Sequence, residues 1–328
     1  MKYIRNDSTN PYYNLALEEY VLNSYRDDDY LLLWQNDRAI VIGKHQNTVE
    51  EVNVNQAEEL GIKVVRRNTG GGAVFHDLGN LNFSLITDWN SDTLINYDSF
   101  LKPIINALLR IGIKADRVGR NDLVVEGKKV SGNAQCIHNG RILHHGTLLV
   151  QSDLTMMSKV LKVGADKISS KGLKSVRSRV ANICEFSKEI INVELLKQAI
   201  IETFFEDNIV SELIINTAQK AEIEKLTKEK YETWEWNYGY NAVYSYRNAK
   251  RFANGKIELN INVKSGIIIQ CKIFGDFMAL ISVEYLENAI VGNRTDRKEI
   301  MLALAGLDIH RFYGITQDEL LECFEGIM

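Results

Sequence analysis

No run of apolar residues in this sequence approaches the roughly 18 needed to span a bilayer as a helix, and the opening MKYIRNDSTN is polar where a secretory signal would be apolar. The expectation is a cytoplasmic protein with no membrane role. Basic residues are not in excess: 39 Lys and Arg stand against 43 Asp and Glu, a formal charge of -4, which argues against a nucleic-acid partner. Cysteine is sparse. Cys136, Cys184, Cys271 and Cys323 lie far apart with no CxxC pair, so neither a disulfide framework nor a zinc cluster is suggested, and four reduced thiols are expected. There is no repeat and no low-complexity tract. What is present is ordinary globular composition, 45% hydrophobic and 25% charged over 328 residues, enough for two domains.

Asn10 and Pro11 before YYNLALEEYVL give a cap, a proline at the first helical position and apolar residues at helical spacing, so a helix opens the fold. YLLLWQNDRAIVIG reads as two strands around Asn36-Asp37, NVNQAEEL as a short helix, and GIKVVRR as a strand running into Gly70, Gly71 and Gly72. Beyond the glycines, Leu81, Phe83 and Leu85 alternate with Asn82 and Ser84, which is strand character again. A helix around SFLKPIINALLRIG precedes three strands with turns at Glu126-Gly127 and Asn139-Gly140. The fold class predicted is α+β, a mostly antiparallel sheet with flanking helices, followed by a small C-terminal α/β accessory domain. Residues 1–240 form the first domain and 247–328 the second, joined by the aromatic-rich stretch YETWEWNYGYNAVYSYRNAKRF.

The three glycines of RRNTGGGAVFHD connect strand to strand, so they are neither a P-loop, which requires GxxxxGK[ST] before a helix, nor a dinucleotide GxGxxG. A glycine-rich hairpin loop still lets a ligand approach backbone amides closely. Arg66, Arg67, Thr69, His76 and Asp77 around it suit an anionic ligand.

RRNTGGGAVFHDLGNLNFS, RNDLVVEGKKVSGNAQ, HHGTLLV and KGLKSVRSRVANI, in this order, together with NPYYNLALEEY, GKHQN and WEWNYGY, closely resemble the lipoate-protein ligases of the biotin/lipoyl ligase superfamily. The resemblance covers nearly the whole chain. It implies activation of lipoate by ATP with Mg2+ to lipoyl-AMP, then transfer of the lipoyl group to one lysine of an apo-acceptor. That acceptor is the H protein of glycine cleavage or an acyltransferase subunit of an oxoacid dehydrogenase.

By the same resemblance Lys129 in GKKVSG is the catalytic lysine that stabilises charge on the lipoate carboxylate and on the acyl-phosphate bridge, without attacking as a nucleophile. Arg67, Thr69, Gly70, Gly71, Gly72, Val74, His76, Gly132, Ala134, His145 and Thr147 line the lipoate and lipoyl-AMP site. Asn121, Asp122, Lys129, Ser175, Arg177, Ser178 and Arg179 face the nucleotide, with Asp122 also the candidate magnesium ligand.

Hairpin geometry gives an independent check. A two-residue turn at Asn139-Gly140 sets His138 opposite Arg141, Ala134 opposite His145 and Gly132 opposite Thr147. Small residues facing His145 and Thr147 leave a groove for a thin aliphatic chain, at about 0.8 kcal/mol per buried methylene. Strict alternation would turn Lys129 to the other face, so a bulge at Ser131-Gly132 is predicted.

Cys136 follows SGNAQ where some relatives carry a basic residue. An ATP-independent transferase using Cys136 or Cys184 as nucleophile, and a non-catalytic lipoyl-binding protein, are the competing readings. The stretch from Gly164 to Asn182, rich in Ser, Gly, Lys and Arg, reads as a loop that closes over the adenylate.

Overall fold

The computed structural model describes residues 1–89, 97–119, 121–162, 179–206, 209–238, 244–279, 282–307 and 316–325. The first helix, α1 (Pro11–Ser24), starts as its sequence dictates: the Asn10 side chain accepts from Tyr12 N and Pro11 takes the first turn, where no amide partner is needed. Its inner face carries Leu15 and, less expectedly, the buried acid Glu18.

The main sheet has seven strands. In chain order they are β1 (Lys2–Arg5), β2 (Tyr30–Trp34), β6 (Asn80–Asp88), β7 (Asp116–Val118), β8 (Asp122–Val125), β9 (Lys128–His138) and β10 (Arg141–Leu149). Their spatial order is β1-β2-β6-β10-β9-β8-β7, with β1 and β2 parallel and the remaining pairs antiparallel. Both turns occur as expected, Glu126-Gly127 and Asn139-Gly140 each holding two successive positive φ angles, the primed geometry that matches strand twist.

The central strands are buried on both faces, each covered differently. Leu81, Phe83 and Leu85 of β6 pack under the helices Tyr97–Arg110 and Val193–Phe205. Ser84 and Ile86, on the other face, look towards α1. The small sheet made of β3 (Ala39–Ile42), β4 (Lys63–Arg66) and β5 (Val74–His76) lies on this side, its Val41 and Val65 sharing a core with α1.

The order of that small sheet is β4-β3-β5, with β3 parallel to β4 and antiparallel to β5. The glycine run is therefore not a hairpin loop, because β4 and β5 flank β3 instead of pairing. It crosses the end of β3, and this frees its amides from ladder hydrogen bonds.

The C-terminal unit has its own three-stranded antiparallel sheet, β11 (Tyr246–Phe252), β12 (Gly255–Lys264) and β13 (Ile267–Gly275), and its own apolar core beneath helices Glu284–Ile290, Arg297–Ala305 and Gln317–Glu322. The aromatic stretch before it is more than a connection. Residues 234–238 are helical, and Asn237, 2% exposed, accepts from Arg66 N while Trp236 O accepts from Arg66 Nε. No helix among the described residues is long and apolar enough to cross a membrane.

Candidate functional site

The three glycines do three different things. A Cβ on Gly70 would lie 2.4 Å from Phe277 O, so the C-terminal unit occupies that space. Gly71 adopts a φ of +92°, which side chains avoid, and its amide donates to Phe277 O at 3.3 Å. Gly72 meets nothing within 4 Å, so its bare backbone borders open space. Arg67 holds this shape from behind: Nη2 donates to Gly70 O and Gly72 O, Nη1 to Val41 O, and Nε to Thr69 Oγ1. Burial pushes its guanidinium down to about 10, still charged at neutral pH.

Arg66 is fully buried and donates to the carbonyls of Gly43, Lys44 and Gln46. That fixes the GKHQN turn, in which Lys44 N donates to Thr69 O and His45 O accepts from Gly275 N.

Beside the glycines is a cavity of about 140 Å³, lined by Arg67, Gly71, Gly72, Val74, His76, Asn121, Lys129, Gly132, Ala134, His145 and Thr147 among others. Eleven residues proposed from the sequence thus meet at one place. Thr69 stands behind the wall, and its hydroxyl is 2.7 Å from His145 Nε2. Gly70 is behind it too, against Phe277. The hairpin register is the one expected, with His138 opposite Arg141 and Ala134 opposite His145. Gly132 N reaches Thr147 Oγ1 at 3.2 Å.

The bulge is present one position earlier than expected. Leu123 pairs with Ser131 and Val124 with Lys129, so Val130 is the extra residue. Val130 turns into the core, and Lys129 is brought to the cavity face. Its Nζ lies 3.1 Å from where a Cβ on Gly132 would be, so any larger residue there would press on the ammonium.

Asp122 accepts an ion pair from Lys129 at 2.6 Å. Lys129 is also fixed through its backbone, its N donating to Arg179 O at 2.7 Å and its O accepting from Ala181 N at 3.0 Å. Of the basic stretch from Gly164 to Asn182, residues 164–178, and with them Ser175, Arg177 and Ser178, lie outside the described residues. Its end at 179–182 is tied to the lysine strand.

A second cavity of about 240 Å³ adjoins the first, with Phe75, Leu149, Met157, Leu161 and Val180 in its wall. The two cavities share Ala73, Val74, Lys129, Gly132 and Thr147. Among the described residues, Lys129 is the one charged side chain that lines both cavities.

Sequence reasoning missed part of the first cavity's wall: Leu15, Trp34, Val41, Asn82 and Met278. Only Asn82 carried a signal, a polar residue alternating inside an apolar strand. It also missed the support of His145, whose Nδ1 is 2.9 Å from Glu18 Oε1, while Ser84 Oγ donates to the same oxygen and Trp34 Nε1 donates to Ser84. His76 Nδ1 meets Asn36, and its Nε2 has no hydrogen-bond partner among the described residues. Burial, then the nearby Arg67 charge, pushes His76 down to about 3, so it is neutral.

No group of three or more His, Cys, Asp or Glu able to hold a metal exists among the described residues. Cys136 lines neither cavity, and burial pushes its thiol up to about 12. Burial also raises Cys184.

Comparison with known proteins places these features in one group. Residues 10–205 match the model of the lipoyl protein ligase A/B catalytic domain, and 241–324 that of the bacterial lipoate protein ligase C-terminus. A similar relative is lipoate-protein ligase LplJ of Bacillus subtilis, 43% identical over 98% of this chain and 99% of that one. Among solved structures, P. falciparum LipL1 in complex with lipoate superposes with a TM-score of 0.81 at 29% identity, covering 98% of this chain and 97% of that one. A lipoate-protein ligase A bound with ATP gives a TM-score of 0.64 at 30% identity, covering 73% of this chain and 98% of that one.

Proposed function

The chain belongs to the lipoate-protein ligases, and on that premise we propose that its first cavity takes the lipoyl chain, its second takes ATP, and Lys129 holds their reacting ends together. The activity is ATP-dependent ligation of lipoate to protein. The observation that carries the division of labour is the shared wall: the two cavities meet at Lys129, the only charged side chain among the described residues that lines both.

In the first half-reaction a lipoate carboxylate oxygen attacks the α-phosphorus of ATP and pyrophosphate leaves, giving lipoyl-AMP. Two anions must approach, and the Lys129 ammonium offsets their repulsion in a partly enclosed site, where charge is screened less than in water. Lys129 exchanges Asp122 for the incoming carboxylate as it does so. In the second half-reaction the acceptor's lysine amine attacks the acyl carbonyl and loses a proton while AMP leaves. Lys129, beside the acyl-phosphate bridge, stabilises the charge that returns to the phosphate.

The aliphatic chain lies along Gly132, Ala134 and His145, and the Gly72 backbone offers an approach no side chain blocks. Neutral His76 presents its unpartnered Nε2 to the same cavity. Asn121 reaches in from the lysine end. The apolar wall of Phe75, Leu149 and Met157 suits a purine.

Asp122 would hold a magnesium ion bound with the nucleotide, its single carboxylate meeting that ion's preference for few protein ligands, and the ion would supply charge neutralisation there. The same reading assigns catalysis to residues 1–240 and an accessory role to 247–328, places the enzyme in the cytoplasm, and takes as acceptors the glycine cleavage H protein or oxoacid dehydrogenase acyltransferase subunits. The thiols stay protonated at neutral pH, which disfavours the cysteine-transferase alternative.

The test has two arms. Pyrophosphate release should require both ATP and lipoate, and intact-mass analysis should show one lipoyl addition on an apo-acceptor from a panel. Acyl transfer without ATP, through a thioester on Cys136 or Cys184, would instead establish the alternative.

A further inference from the structure

The catalytic half does not enclose the first cavity alone. Met278, in the segment after β13, lines it beside Arg67, Gly71 and Ala134. This side chain is 2% exposed and belongs to the same apolar cluster as Phe83 and Ala134. Its methyl carbon is 3.6 Å from where a Cβ on Gly71 would lie. Its sulfur accepts a hydrogen bond from Tyr97 Oη at 2.7 Å. An unbranched thioether has three free rotations and fills irregular gaps, so this one bond selects among its conformations.

The backbone that carries Met278 is held by contacts between the two units. Phe277 O accepts from Gly71 N, Gly275 N donates to His45 O at 2.7 Å, and the rings of His45 and Phe277 stack at 5.2 Å and 11°. Leu15, Trp34 and Val41 also present apolar atoms to the cavity, but they are packed from behind by the core under α1. Gly132, Ala134 and Thr147 are fixed by strand register. Met278 is thus the long apolar side chain of the wall that comes from outside the catalytic fold.

We infer that Met278 is a specificity-determining residue: held by Tyr97, it sets the length and girth of the acyl chain that the cavity admits. This rests on the reading of that cavity as the lipoyl site. Because the accessory unit supplies this part of the wall, acyl selection depends on how that unit is seated on the glycine run.

The experiment measures kcat/KM for pyrophosphate release with lipoate and with straight-chain carboxylic acids of increasing length. It compares the wild type with Met278→Ala, Met278→Leu and Tyr97→Phe. In Met278→Ala the preferred length moves upward, and the ratio of kcat/KM for a longer acid over lipoate rises about tenfold, the scale of a methylene or two in an apolar pocket. Met278→Leu, close in volume, keeps the wild-type ratio, and Tyr97→Phe broadens the length profile by less than the alanine variant. A ratio measured within one preparation does not depend on the fraction folded. An unchanged ratio in Met278→Ala overturns the inference. A wild type that works on no acid overturns the reading of the site itself, and the inference with it.

Discussion

His144 and His145 are neighbours in one strand and live in different chemistry. His145 faces the cavity, joined on one side to Glu18 and on the other to Thr69. His144 faces the opposite side, stacked on Phe100 at 4.9 Å, near Tyr97 and Phe83, with Gln135 Nε2 at 2.8 Å from its Nδ1. Burial pushes His144 down to about 3. The same division runs across the sheet, with Asn82, Ser84, Ala134 and Thr147 on the cavity face and Leu81, Phe83, Leu85 and Leu148 on the core face. The strand period of two is enough to separate the residues that handle substrate from those that hold the sheet together, within single strands. On the cavity face the polar side chains of Asn82, Ser84 and Thr147 each have a hydrogen-bond partner.

Because the faces are separate, substitutions on the two should fail in different ways. The largest effect belongs to Lys129→Ala, which should lower adenylate formation, and transfer from preformed lipoyl-adenylate, each by at least about 10²–10³-fold. Its melting temperature should barely move, because a half-exposed ion pair contributes about 0–1 kcal/mol. Near-normal turnover in either half-reaction would remove the lysine from the mechanism.

Leu85→Ala tests the other face. It should lose about 2–5 kcal/mol in denaturant unfolding, while kcat/KM per folded molecule stays close to wild type. A catalytic defect larger than the stability defect would show that the faces are coupled.

Acid acts on both faces together. His76 on the cavity face and His144 on the core face are held neutral when folded, at about 3, against an ordinary value near 6.5 in the unfolded chain. The unfolded chain therefore binds more protons between those limits. Stability is full above about pH 6.5 and is lost as pH falls below it, by up to about 1.4 kcal/mol per pH unit for each histidine. Urea midpoints that stay level from about pH 7 to about pH 5 would contradict this assignment of neutral imidazoles.

The smallest effect is expected at Cys136, on the cavity face by register but outside both cavities. Cys136→Ser should keep most ligase activity, and mass spectrometry of the working enzyme should find no acyl adduct on any cysteine.

Local sequence alone determined much of this protein. The primed turns at Glu126-Gly127 and Asn139-Gly140 fixed the hairpin register, and register alone placed Ala134 opposite His145. The cap at Asn10-Pro11 fixed the first helix. The need for a bulge near Lys129 followed from alternation, although its place at Val130 did not, because the partner strand decides where a ladder slips. The family resemblance supplied the roles of the lysine and the glycines. Neither source could show that Gly70 is bare because Phe277, far along the chain, lies against it, that Glu18 of the first helix supports His145, or that Asn237 closes over Arg66. The crossing of β3 by the glycine run was equally hidden. Propensities, turns and period report on neighbours in sequence, whereas the cavity wall is set by which distant surfaces the burial of apolar area brings together. That outcome is a property of the whole packed chain, and only the tertiary structure decided it.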